Sequence, residues 1–198
     1  MNGYLKTLAV AAAFAAAAPA LAQSARIGGD VIAATPTSLT IRHASGETVA
    51  IDAPASVPVQ AFKNMTLADV KPGSFVGVGA KIGPDGVQRA VQVVIFPESA
   101  RGTGEGHRGW NMGPDSTMTN ANVDAVVGAR DGRNLKLSYK GGTQEIVVPP
   151  EARILTFVPA TRADVKVGRK AVVNADQKGD RYVATRITVE KGGVVPPM

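Results

Sequence analysis

The chain has 198 residues, of which 44% are hydrophobic and 19% charged, with 22 Gly, 13 Pro, no Cys and a formal charge of +6. This is the balance of a globular protein with many turns, large enough for one medium domain or two small ones. The lack of Cys excludes disulfides, thiol catalysis, Cys-based metal sites and a lipidated cysteine.

The first element in chain order is a leader. "MNGYLKT" carries a Lys, "LAVAAAFAAAAPALA" is an apolar run of 15 residues, and Ala20-Leu21-Ala22 is a small-residue cleavage site before Gln23. The run is mostly Ala and falls short of the roughly 18 residues a membrane-crossing helix needs. Residues 1–22 are therefore expected to be a signal peptide helix, and the mature protein to be periplasmic or secreted. Removing the leader's single Lys leaves a charge of +5, and the excess sits in 121–198, with thirteen basic and eight acidic residues. That balance suits an anionic surface or glycan as partner, or simply a solvated basic face.

A self-match organises the remainder. "FKNMTLADVKPGSFVGVGA" (Phe62 to Ala80) lies 95 residues before "FVPATRADVKVGRKAVVNA" (Phe157 to Ala175), and the likeness extends outward on both sides. Short β-rich runs separated by turn residues predict strands near Gly28–Ala34, Ser38–His43, Thr48–Asp52, Phe75–Ile82 and Val87–Phe96. The second set is predicted near Asn122–Gly128, Leu135–Tyr139, Gln144–Val148, Lys170–Asp176 and Tyr182–Glu190. Alternation in "LKLSY" puts Leu135, Leu137 and Tyr139 on one face. Thr66-Leu67-Ala68-Asp69 and Thr161-Arg162-Ala163-Asp164 each fit a capping box opening one helical turn, stopped by Pro72-Gly73 and by Gly168.

The expected fold is all-β: two tandem OB-like five-stranded barrels, residues 23–97 and 121–198, joined by a linker at 98–120. A two-sheet sandwich is the competing closure. No long amphipathic helix is expected beyond the leader, and no transmembrane span in the mature chain.

The pattern "L-x-D-V/L-K-x-G", followed by a Val-rich strand and "A-x-x-V", resembles the bacterial secreted modules classed as domain of unknown function five-six-six-six, here in tandem. That resemblance implies an OB-like fold and no particular activity. The linker and the "GGVVPPM" ending are similar to exported alpha-proteobacterial-type proteins, some of which carry a metal ABC transporter permease label. A permease needs several apolar spans of about 20 residues, and 23–198 has none.

The linker holds the chain's one Trp and one of its two His. Gly104 to Gly109 satisfies G-x-G-x-x-G, but Trp-Asn-Met-Gly-Pro follows where a dinucleotide site requires a helix. Metal binding would draw on His107 with Glu105 or Asp115, or on the distant His43; the two His are not at ligand spacing. No nucleophile elbow is present, so no catalytic residue is assigned and no cofactor is expected. Ligand or partner contacts are expected from Arg101, Glu105, His107, Arg108, Trp110 and Asn111 in the linker, and from Tyr182 with Arg186 on one outward strand face. Trp110 is expected to dock the linker on the barrels. The leading expectation is a non-enzymatic binding or envelope-associated accessory protein, acting through the inter-module surface on an envelope protein, glycan or anionic surface rather than nucleic acid. A periplasmic metal- or small-ligand-binding component associated with transport stands second, and a hydrolase third.

Overall fold

A computed structural model describes residues 24–110, 112–129 and 132–197. The expected signal peptide, 1–22, lies outside the described residues. Among those described, no helix is long and apolar enough to cross a membrane, and the regular structure is strand apart from three short 3₁₀ turns.

The strands are β1 (Ser24–Ala34), β2 (Ser38–Arg42), β3 (Thr48–Asp52), β4 (Val59–Asn64), β5 (Phe75–Ile82), β6 (Gln88–Ile95) and β7 (Gly106–Gly109). They continue as β8 (Ser116–Ala129), β9 (Gly132–Tyr139), β10 (Gly142–Val148), β11 (Arg153–Pro159), β12 (Lys170–Lys178) and β13 (Arg181–Val189). All ten expected strands are present, most of them within a few residues of their expected ends, and β8 starts six residues early. "LKLSY" alternates as read: Leu135 and Leu137 are buried, Tyr139 packs against the same core, and Lys136 is exposed.

The strands close into two five-membered rings, settling the choice between barrel and sandwich. In the first, β1, β2 and β3 form an antiparallel meander, β12 and β13 form a hairpin, β1 pairs with β12, and β13 closes parallel to β3. In the second, β8, β9 and β10 form the meander, β5 and β6 the hairpin, β5 pairs with β8, and β6 closes parallel to β10. This is a five-stranded Greek-key barrel twice over. Each barrel takes three strands from one of the stretches 23–97 and 121–198 and two from the other, rather than one barrel lying within each stretch.

Exchange requires two long crossings, which β4 and β11 supply. They pair antiparallel, with Phe62 opposite Phe157, the residues that open the two matched segments. β4 then runs parallel to β13, and β11 parallel to β6, so the crossing pair joins the barrels into one continuous sheet. The Phe62 and Phe157 rings lie 4.7 Å apart, and Phe96 adds a third ring 5.4 Å from Phe157. Phe62, Val94 and Leu155 form a small apolar cluster between two larger barrel cores. One core gathers Val31, Leu39, Ile41, Ile51, Val173 and Ile187; the other gathers Val76, Val78, Val93, Leu135, Leu137 and Ile146.

The two matched turns fold alike. Asp69 Oδ2 accepts from the Thr66 amide at 2.8 Å, and Asp164 Oδ2 from the Thr161 amide at 2.8 Å. Those amide bonds head the causes that lower both carboxyl pKa values. Gly73 and Gly168 both adopt φ 84°, which a side chain disfavours. The Gly73 amide donates to Val123 O and the Gly168 amide to Val31 O, so each turn caps the barrel that begins with the other stretch's strands.

Candidate functional site

The expected linker is a folded element. Glu98–Ala100 makes a 3₁₀ turn, and β7 pairs with the first half of β8, His107 opposite Thr119 and Arg108 opposite Met118. β8 therefore begins at Ser116, well before the expected Asn122, and its long first half carries the hairpin. The sequence showed no alternation here because β7 is only four residues long and two of them are Gly. The Ser116 hydroxyl donates to Trp110 O and Gly113 O, each at 2.7 Å, and fixes the hairpin tip.

The hairpin lays Trp110 against the second barrel. A Cβ on Gly79 of β5 would lie 2.5 Å from Trp110 Cζ3 and 2.6 Å from Cη2, so the indole rests where only a glycine leaves room. Trp110 is half-buried, as a docked ring with one open side should be.

That open side is a wall of a cleft of about 310 Å³ between the barrels. Its floor is the crossing pair, through Gln60, Phe62 and Phe157. One side comes from the first barrel (Arg26, Val172, Asn174, Arg186, Thr188) and the other from the second (Gly77, Gln92, Val94, Phe96, Met118, Asn120). Thr103, Arg108 and Trp110 come from the hairpin, and Pro196 with Pro197 from the C-terminal segment. The volume is at the small end of the range for small-molecule sites, ~300–1,000 Å³.

The electrostatics of the cleft are one-sided. Among the described residues, three arginines line it and no Asp or Glu does. Arg26 donates to Pro197 O at 2.6 Å, and Arg108 to Gly104 O at 2.9 Å. Arg186 makes no hydrogen bond or ion pair among the described residues. Crowding by protein lowers the Arg26 pKa from its ordinary value, yet a guanidinium keeps its proton at any physiological pH. Desolvating a cation without an anionic partner is unfavourable, and an incoming anion removes that cost.

Of the described residues expected to make contacts, Arg108, Trp110 and Arg186 meet in this cleft; Arg101, Glu105, His107 and Tyr182 do not. Arg101 is a structural clamp: it forks onto both carboxylate oxygens of Glu98 at 2.6 and 2.7 Å and also donates to Asn122 Oδ1 and Gly73 O. This pairing raises the Arg101 pKa and lowers that of Glu98. Glu105 accepts from the Lys140 amide at 2.9 Å, tying the hairpin to the β9–β10 turn. His107 Nδ1 lies 2.8 Å from Thr119 Oγ1, and its ring stacks on Tyr139 at 6.5 Å. Asn111 lies outside the described residues.

Tyr182 requires a correction. It packs against the first barrel's core instead of sharing an outward face with Arg186. The pairing of β12 with β13 slips by one residue between Asn174, opposite Arg186, and Ala175, opposite Ala184, and such a bulge reverses the facing of everything beyond it. For the metal candidates, no group of three His, Asp or Glu side chains able to hold an ion occurs among the described residues; Asp115 sits at the hairpin tip with φ 60°. The sequence reading missed Arg26, Gln92 and Asn174. Their signal was a polar side chain facing outward from a strand, which is also the signal of ordinary surface.

Comparison with protein-family models, with curated proteins and with solved structures gives no match.

Proposed function

We propose that this is an exported, non-enzymatic binding protein, associated with the cell envelope, that holds an anionic ligand in the cleft between its two barrels. The observation that carries the reading is that, among the described residues, three guanidinium groups and no Asp or Glu line the cleft. Around that charge stand amides, hydroxyls and aromatic rings, which orient a ligand without acting on it. The hairpin between the matched stretches places Arg108 and Trp110 at the cleft, so the segment outside the self-match contributes to recognition.

A melting panel with glycans, small organic anions, polyanions and divalent metals tests this reading, because a ligand that prefers the folded state raises the melting temperature. Anionic compounds should stabilise the wild-type chain and shift the emission of Trp110, the chain's one Trp. Arg186→Gln should remove both responses. Stabilisation that survives unchanged in Arg186→Gln places binding elsewhere and refutes the reading.

A further inference from the structure

We propose that the ligand is an acidic sugar, a pyranose ring bearing one carboxylate, of the hexuronate type. This rests on the cleft being the binding site, and it follows from what each side of the cleft leaves unsatisfied.

The charge is uncommitted. The seven ion pairs among the described residues use Arg89, Arg101, Lys136, Arg169, Lys170, Arg181 and Lys191, none of which lines the cleft. A guanidinium has five N–H donors in a fork that fits a carboxylate two at a time. Arg26 and Arg108 each use a donor on one main-chain carbonyl, and Arg186 uses none.

The neutral groups specify more than charge. Gln92 is only 8% exposed, lines the cleft, and makes no side-chain hydrogen bond. Its amide atoms are not among the sealed, unpartnered ones, so its tip opens to the cleft. Asn174 also lines the cleft with no side-chain hydrogen bond. A side-chain amide offers both donor and acceptor, and the group that answers both is a hydroxyl. Sulfate or nitrate accepts only and leaves the amide oxygens unmet, as does benzoate. Sites that hydrogen-bond a hydroxyl discriminate strongly against analogues lacking it, because a buried polar group is then stranded. The third requirement is a flat apolar wall. Trp110, with Met118 beside it, presents that wall to the C–H face of a sugar ring, and the cleft's size suits one ring.

The test is calorimetric titration of the full chain with D-glucuronate and D-galacturonate, their disaccharides, glucose and benzoate, following Trp110 emission in parallel. At least one uronate should bind, with glucose and benzoate weaker by about tenfold or more, the discrimination expected from one charge-assisted or one hydroxyl contact. Arg186→Gln should weaken the uronate by about tenfold. Gln92→Leu should weaken the uronate and leave benzoate unchanged, and Arg133→Gln, outside the cleft, should leave all affinities unchanged. Melting curves establish that each variant is folded. Benzoate binding as tightly as uronate overturns the ligand class, and so does binding of other anions that Arg186→Gln abolishes while uronates do not bind; the anion-cleft reading survives both outcomes, whereas glucose binding as tightly as uronate overturns both. If no probe binds and Trp110 emission stays fixed, the uronate falls, and the anion-cleft reading falls with it if no anion of the melting panel stabilises the chain either.

Discussion

The contact between Trp110 and Gly79 lends itself to a quantitative test by Gly79→Ala. Gly79 has no left-handed φ, so alanine fits the backbone, and the new methyl meets the indole at 2.5 Å and Gln92 Cγ at 3.2 Å. Because a buried aromatic side chain covers 150–250 Å², half-buried Trp110 covers about 100 Å². At ~25 cal/mol/Å², displacing the ring costs about 2.5 kcal/mol. Replacing a strand glycine returns about 0.5–1 kcal/mol through the unfolded chain, leaving a net loss of about 1.5–2 kcal/mol. For a chain of this size that is a fall in Tm of about 3–8 °C. Trp110 emission should move to the red and acrylamide quenching should rise. In a Trp110→Ala background the methyl meets only Gln92 Cγ, at 3.2 Å, so the substitution should cost much less, a coupling that a double-mutant cycle reads directly. Unchanged emission in Gly79→Ala, or equal losses in both backgrounds, would show that the indole does not rest on β5.

Two further outcomes follow. Cleavage at a protease site inserted between Met112 and Gly113, in the exposed hairpin tip, should leave both fragments in one particle on native size exclusion, because each barrel needs strands from both; two separately folded fragments would contradict the exchange. Asp164→Asn probes the second capping turn. The folded-state carboxyl pKa is lowered by the Thr161 amide first and by Lys191 next. A depressed carboxyl stabilises above its unfolded value of about 4 and loses that contribution as pH falls through its folded value. The variant should therefore melt below wild type at pH 7 and converge with it as pH falls through the lowered folded-state value, whereas a pH-independent gap would refute the charge's role.

The strands, their turns and the all-β class were legible because they depend on local pattern: Val and Ile alternation, Gly at turns, and Thr-x-x-Asp at both caps. Which stretch's strands pair with which was not. The edge of β1 accepts β12 or β5 on nearly the same alternation and turn chemistry, since those hairpins come from matched segments, and local pattern does not distinguish them. The distinguishing feature was the interval before each cap. "VQAFKN" and "RILTFVP" are extended strands carrying Phe62, Leu155 and Phe157, not loops, and a strand there carries the chain away from the barrel it has begun. Part of the site was legible for a different reason. Arg108 and Trp110 stood out because they lie outside the matched segments, whereas Arg26, Gln92 and Asn174 matter only because two barrels face each other across them. Tyr182 was misplaced by a single-residue slip, which alternation taken alone does not register.

The exchanged strands also set an order of events in folding. The second barrel spans Phe75 to Val148 without a break, so its ring can close while the first barrel's last hairpin is still unformed. The first barrel is nested around it: β1 must wait for β12, which begins 146 residues after β1 begins. Bringing such distant ends together is slow, since closure entropy is lost before the contact repays it. Meanwhile the β1–β3 meander, on a chain growing from its N-terminus, presents two unpaired edges to any neighbouring copy. The β12–β13 hairpin that covers those edges is the last pair of strands in the chain, so the meander's edges stay open until nearly the whole sequence has emerged.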